Sequence, residues 1–245
     1  MKNRKKHIIT LIGIVVLLVL VVMANIWRHR SLVHGVRVEI DYIDTDTLIT
    51  PEQVAAIIRD SLPQLTETTL RNVNLEAVEQ AASTSPYLSQ CQASTSIGGD
   101  VILYARQRRP VVRICSSKEE YYLDDHGYKL PESRTGYANV IVASGNLNKG
   151  IKEIWTLAAY LDSHSDIAPL FDQIYRDSHG DLYLTPKLGS HVVQVGDTSN
   201  LDQKFYNLMA LYTRGLPQAG WETYSQVSLK YNKQVVCTKR EGKTQ

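Results

Sequence analysis

The sequence predicts an α+β fold carried behind one N-terminal transmembrane helix. Three observations lead there. The chain opens with an uncharged apolar run of membrane-spanning length. A segment follows whose periodicity switches in the order β-α-α-β-β. A long C-terminal part is then dominated by short strand patterns broken by two amphipathic helices.

The apolar run extends from Ile8 to Ile26 and ends at Trp27, behind a basic stub of Lys2, Arg4, Lys5 and Lys6. Nineteen residues at a rise of about 1.5 Å span the ~30 Å hydrocarbon core of a bilayer. Fourteen of them are Ile, Leu or Val, which outweighs the cost of Thr10, Gly13 and Asn25. Residues 1–7 then read as a cytoplasmic tail and 8–27 as the span that meets the lipid. Arg28, Arg30 and Arg37 make the charge bias mild, but a short N-terminal stub stays inside and places the body on the far side, as a single-pass inner-membrane protein. The competing reading is a cleaved signal peptide with Val22-Met23-Ala24 before the cut. The length of the run and the bulk of Trp27 favour an uncleaved anchor.

With the four stub residues set aside, 23 Lys and Arg face 25 Asp and Glu. The exported body is near neutral, which excludes a nucleic-acid surface. Roughly 215 residues suffice for two small domains with their own cores. Cys91, Cys115 and Cys237 are widely spaced and odd in number, so one pair at most can bridge; as single thiols they read as small buried hydrophobes.

The first domain spans residues 34–107. Val36 to Tyr42 alternates as a strand. Thr50-Pro51-Glu52-Gln53 carries helix-start chemistry, with Thr as N-cap, Pro at N1 and Gln at N3. Val54, Ile57, Ile58 and Leu62 then share one helical face, and Pro63 stops the helix. Asn74 caps a second helix with Leu75, Val78 and Ala82 inward. Tyr87 to Thr95 and Asp100 to Gln107 are strands joined through Gly98-Gly99. The product is a small sheet with two helices on one face.

The second domain spans residues 108–240, with 241–245 as a tail. Arg108, Arg109 and Pro110 mark the junction, where a proline at a strand start is tolerated. Strands are predicted at Val111 to Ile114, Glu120 to Asp124, Tyr128 to Leu130, Asn139 to Ala143, Gln173 to Arg176, Asp181 to Thr185 and His191 to Val195. Ile151, Ile154, Trp155, Ala158 and Leu161 form one helix face; Leu201, Phe205, Leu208, Met209 and Tyr212 form another, ending near Gly215. A last hairpin pairs Tyr224 to Tyr231 with Gln234 to Lys239 through Asn232-Lys233. The domain is mostly antiparallel β with packing helices.

No catalytic pattern emerges. The seven histidines show no HExxH and no zinc spacing with cysteine, and there is no GxSxG, P-loop or GxGxxG. Asp162, His164 and Asp166 alternate at a helix end, where only two can share a face. Asp124-Asp125-His126-Gly127 is turn chemistry rather than an acid–base pair. The chain is read as a non-enzyme, with no cofactor and no metal.

Taken in order, these features resemble one known family, the bacterial division proteins FtsQ/DivIB. The resemblance is carried by Val36 to Tyr42, Asn74-Leu-Glu-Ala-Val, Ser85-Pro86-Tyr87-Leu88, Arg108-Arg109-Pro110-Val-Val-Arg113 and Tyr121 to Gly127. Val195-Gly196-Asp197 to Lys204 and Tyr224 to Lys239 complete it. It implies a POTRA-type domain at 34–107 and a β-domain at 108–240. It also implies a non-catalytic divisome scaffold at the septum that binds FtsB/FtsL-type single-span partners and links early and late steps of septum assembly. In this family the last strand receives a partner segment as an added strand, and other divisome proteins meet the POTRA domain. That places Tyr231, Lys233, Gln234, Val235 and Cys237 at the partner, with Tyr231, Lys233 and Val235 on one face. The family's tryptophan in this stretch is absent from Val236-Cys237-Thr238. The alternative function is a membrane-anchored POTRA accessory factor in envelope protein assembly; a membrane-anchored envelope hydrolase would need a nucleophile–base pair that the residues do not offer.

Overall fold

The computed structural model describes residues 11–23, 32–43, 46–147, 149–231 and 234–240. Residues 11–23 are helical (α1), and among the described residues no helix is long and apolar enough to cross a membrane. The ends of the apolar run (8–10 and 24–27), the stub (1–7) and the C-terminal tail (241–245) lie outside the described residues. The chain divides into two compact units, which meet in sequence between Gln107 and Arg108.

The first unit runs β1 (Val36–Asp41), α2 (Pro51–Ser61), α3 (Leu75–Ser83), β2 (Leu88–Thr95) and β3 (Val101–Gln107). Its sheet is ordered β1-β3-β2, with β1 parallel and β2 antiparallel to the central β3. The parallel pairing follows from the two helices between β1 and the hairpin, since a parallel neighbour needs a crossover. α2 starts as its residues dictate. The Thr50 hydroxyl accepts from the Gln53 N–H, the Gln53 side chain accepts from the Thr50 N–H, and Pro51 opens the first turn. Asn74 caps α3 by accepting from the Ala77 N–H at 3.1 Å. Val54, Ile58, Val78 and Ala82 bury against Val101, Leu103 and Ala105 to make the core.

One polar group inside this unit is invisible to periodicity. Gln107 closes β3 with a buried amide that accepts from the Leu48 N–H at 2.7 Å and donates to the Asp46 carbonyl at 2.8 Å. It fastens the connection between β1 and α2 by supplying backbone groups with the partners that burial demands.

The second unit contains β4 (Pro110–Cys115), β5 (Glu120–Asp124), β6 (Lys129–Pro131), β7 (Ile141–Gly145), α4 (Ile151–Asp162), β8 (Phe171–Arg176), β9 (Leu182–Pro186) and β10 (Val192–Gly196). α5 (Leu201–Ala210), α6 (Leu216–Ala219), β11 (Tyr224–Ser228) and β12 (Val236–Lys239) complete it. Its strands form a single sheet in the order β12-β11-β10-β9-β8-β7-β4-β5-β6. The sheet is mostly antiparallel, but β4–β7, β7–β8 and β10–β11 are parallel. Helices explain two of the three exceptions. α4 carries the chain from β7 to β8, and α5 with α6 carries it from β10 to β11, each crossing back to the end of the sheet where the preceding strand began.

One core joins Ile154, Leu157 and Leu161 of α4 and Phe205 and Leu208 of α5 to Ile174, Leu184, Val193 and Val227 of the sheet. The helix expected to end near Gly215 continues instead. α5 passes through a widened turn at Leu211–Gly215, where the Leu216 N–H bonds to the Leu211 carbonyl, and α6 follows to Ala219. Pro217 has no N–H to return to Thr213, so the regular ladder cannot persist there.

Candidate functional site

β12 ends the nine-stranded sheet, and among the described residues its one sheet neighbour is β11. Two backbone bonds fix which groups face outward. Leu229 N–H donates to the Gln194 carbonyl, so the odd residues of β11 turn toward β10 and the even ones toward β12. Arg240 N–H donates to the Thr223 carbonyl at 3.0 Å, which sets the matching parity on β12. Val236 and Thr238, opposite Ser228 and Gln226, therefore bond inward to β11. The backbone N–H and C=O of Cys237 and Lys239 point to the open side, because hydrogen-bonded and non-bonded pairs alternate in an antiparallel ladder.

The side chains obey a second alternation. Cys237 lies opposite the buried Val227 and shares its face, and both Cys237 and Val235 rest against the core. The expectation that Val235 shares a partner-facing side with Tyr231 and Lys233 is thus not what the register gives. Val235 turns inward, while Val236 is 40% exposed and Tyr231 is 54% exposed. Gln234 is exposed; Lys233 lies outside the described residues.

Beside this edge is a shallow pocket of about 170 Å³ between the start of α5 and the segment after β11, lined in part by Asn200, Gln203, Lys204, Lys230, Tyr231 and Gln234. Its two ammonium groups are already matched. Lys204 bonds the Asp197 carboxylate at 2.7 Å and, with the Ser199 hydroxyl, holds its pKa down to about 2. Lys230 bonds Asp181 at 2.8 Å, which raises the lysine's own pKa. The pocket offers amides, hydroxyls and one aromatic face rather than net charge.

At the other end of β12, Arg240 donates to the Ser190 carbonyl and hydroxyl, tying the strand to the start of β10. Next to it His191 is buried, its Nε2 2.8 Å from the Tyr212 hydroxyl and its Nδ1 without a hydrogen-bond partner among the described residues. Burial lowers the His191 pKa; Glu222 opposes the shift and Arg240 adds to it. The native imidazole stays neutral where the unfolded one takes up a proton, near pH 6.5. The unfolded state then binds more protons between the depressed native pKa and about 6.5, so stability falls as pH drops through that window. Urea midpoints measured at about pH 7.5 and pH 5.5 should fall at the lower value, and the fall should shrink in His191→Gln. Equal slopes in the two proteins would assign the pH dependence elsewhere.

The junction residues do not converge on a ligand. Arg108 pairs with Asp124 at 2.9 Å, and Arg109 forks onto both oxygens of Asp162, while Pro110 begins β4. Asp162 is therefore engaged, and His164 Nδ1 donates to the Tyr160 carbonyl at 2.7 Å. Ligand atoms of Asp124, Asp125 and His126 lie within 4.8 Å of one another. The Asp124 oxygens, however, accept from Arg108, the His126 N–H and the Tyr128 N–H, which makes the group a turn fastener. All three cysteines are free thiols with raised pKa values caused first by burial, the behaviour of structural rather than reactive cysteines.

The family model described as FtsQ/DivIB, C-terminal related, matches residues 109–238, more than half of the chain and nearly all of the second unit. No curated protein matches the chain. With that family match over more than half of its length, the chain belongs to the FtsQ/DivIB family of bacterial cell-division proteins.

Proposed function

We propose that this chain is a non-catalytic scaffold of the division machinery, held in the inner membrane by residues 8–27 with its body outside the cytoplasm and concentrated at the septum. Its partners are FtsB/FtsL-type single-span proteins, one of which adds a strand to β12. The observation that carries this is the outward direction of the Cys237 and Lys239 backbone groups on the terminal strand. An edge of that kind supplies affinity through main-chain bonds, and neighbouring side chains supply selectivity. Tyr231, Gln234 and Val236 are the exposed side chains at hand. A single span fits a tether that confines docking to a thin layer and so raises the partners' effective concentration. The POTRA-type first unit is then free to meet other divisome proteins.

The test is Lys239→Pro. It removes one outward N–H and leaves the inward bonds of Val236, Thr238 and Arg240 in place. Capture of an FtsB-type segment should weaken tenfold or more, about 1.4 kcal/mol, with the urea midpoint nearly unchanged. Full-strength capture by the folded variant would remove β12 as the docking strand.

A further inference from the structure

The tip of the β2–β3 hairpin carries an apolar side chain that no packing explains. Ile97 is 84% exposed, and it stands in the short connection Ser96-Ile97-Gly98-Gly99. The tip is not a loose loop. The Ser96 N–H donates to the Asp100 carbonyl at 2.8 Å, and Gly99 turns the chain at a φ of 95°.

The hairpin is also fastened to the stretch of chain that follows the apolar run. His34 N–H donates to the Gly99 carbonyl, His34 Nδ1 donates to the Gly98 carbonyl at 2.9 Å, and Val101 N–H donates to the Gly35 carbonyl. A Cβ on Gly99 would sit 2.7 Å from that imidazole, so glycine is needed for space as well as for φ. Ile97 therefore lies at the end of the sheet where the chain enters from the N-terminal side. Six residues lie between Trp27 and His34, so the seven steps from one to the other reach at most about 25 Å.

One cation at this end is accessible: Arg37 is largely exposed even while pairing with Asp100 at 3.3 Å. Leu32, two residues before His34, adds a second half-exposed apolar side chain. An exposed isoleucine at a fixed tip, with an exposed arginine at the same end of the sheet and close in sequence to the apolar run, matches an anionic lipid surface. Apolar groups enter the headgroup boundary there and basic groups stay at the phosphates.

We propose that this tip is a bilayer-contact site: Ile97, with Leu32 and Arg37, seats the first unit on an anionic membrane surface and fixes its pose relative to the anchor. The proposal rests on the reading of residues 8–27 as a membrane span. Its occupant is lipid, not a protein.

The experiment uses the full chain in nanodiscs containing phosphatidylglycerol. Ile97→Cys carries a fluorophore in a background of Cys91→Ala, Cys115→Ala and Cys237→Ala. A Gln90→Cys label near the other end of β2, within the first unit, serves as the water-exposed control. Headgroup-spin-labelled lipid should quench the label at position 97 and leave the one at 90 bright. Quenching at 97 should be lost in phosphatidylcholine-only discs or with Arg37→Glu. Chain that enters the discs but shows equal, weak quenching at both positions would overturn the contact and leave the anchor standing. Protection at 97 that arises only when a partner protein is added would overturn it too. Failure of the chain to enter discs at all would overturn the anchor and the contact together.

Discussion

Asp124→Ala is expected to lower the stability of the second unit by about 3–5 kcal/mol, the cost of leaving one member of a buried charge pair alone. Asp124 is fully buried at the end of β5. Its carboxylate accepts from Arg108 at 2.9 Å, the Tyr128 N–H at 2.7 Å and the His126 N–H at 3.0 Å. Its carbonyl accepts from the Trp155 indole at 2.9 Å, linking the turn to α4. Alanine keeps the backbone bonds, to the indole, the Gly127 N–H and the Tyr128 carbonyl, but strands the His126 and Tyr128 N–H donors and takes the carboxylate away from the guanidinium over the Tyr128 ring. Asp124→Asn retains an acceptor and should cost less. Urea unfolding followed by tryptophan fluorescence, with Trp155 reporting from the site itself, reads the difference. A loss below about 1 kcal/mol for alanine would mean that Arg108 finds water on its own and that the pair is worth no more than a surface one.

Gly145→Ala is the second large effect, expected at about 2–5 kcal/mol from backbone strain together with overpacking. Gly145 closes β7 at a φ of 100°, opposite Arg176 on β8. An added Cβ would overlap the Arg176 carbonyl oxygen and come within 2.8 Å of the Tyr175 ring. The carbonyl cannot step aside, because it accepts from the Asn146 N–H at 2.8 Å and so ends the β7–β8 pairing. Gly98→Ala is the matched control, since the nearest atom to its Cβ is the Ser96 hydroxyl at 3.6 Å. It should be close to neutral. Similar losses for both glycines would show that the cost does not come from the crowding at β7, since the chain-entropy effect of glycine to alanine by itself is stabilising.

The first unit was legible because its signals are local. Thr50, Pro51 and Gln53 specify a helix start within four residues, and strand alternation in Val36–Asp41 needs no partner to be recognised. The second unit yielded its strands but not all their neighbours, since periodicity says that a segment is extended and not what it pairs with. A helix between β7 and β8 was the available sign of the parallel pair, and it outweighs the expectation of simple hairpins.

At the candidate site, the last strand was legible as part of a hairpin, its docking role came from family resemblance, and alternation alone put its facing on the wrong side. A register set across the β11–β12 pair decides whether Val235 or Val236 turns outward, and a shift of one residue reverses every side chain. Gln107 and Asp124 were missed for a related reason. A buried polar side chain is recognised by the distant backbone groups it satisfies, and those are brought to it by the fold alone.

The two alternations on β12 have a consequence for mutagenesis. Cys237 points its backbone outward and its side chain into the core, so the group open to a visiting strand is one that no ordinary substitution deletes. An alanine scan along this strand would return near silence at an intact docking edge, while proline or a backbone ester at the same positions would not. The same logic leaves such an edge free to drift in composition over generations, provided that each replacement keeps the strand extended and its inner face small.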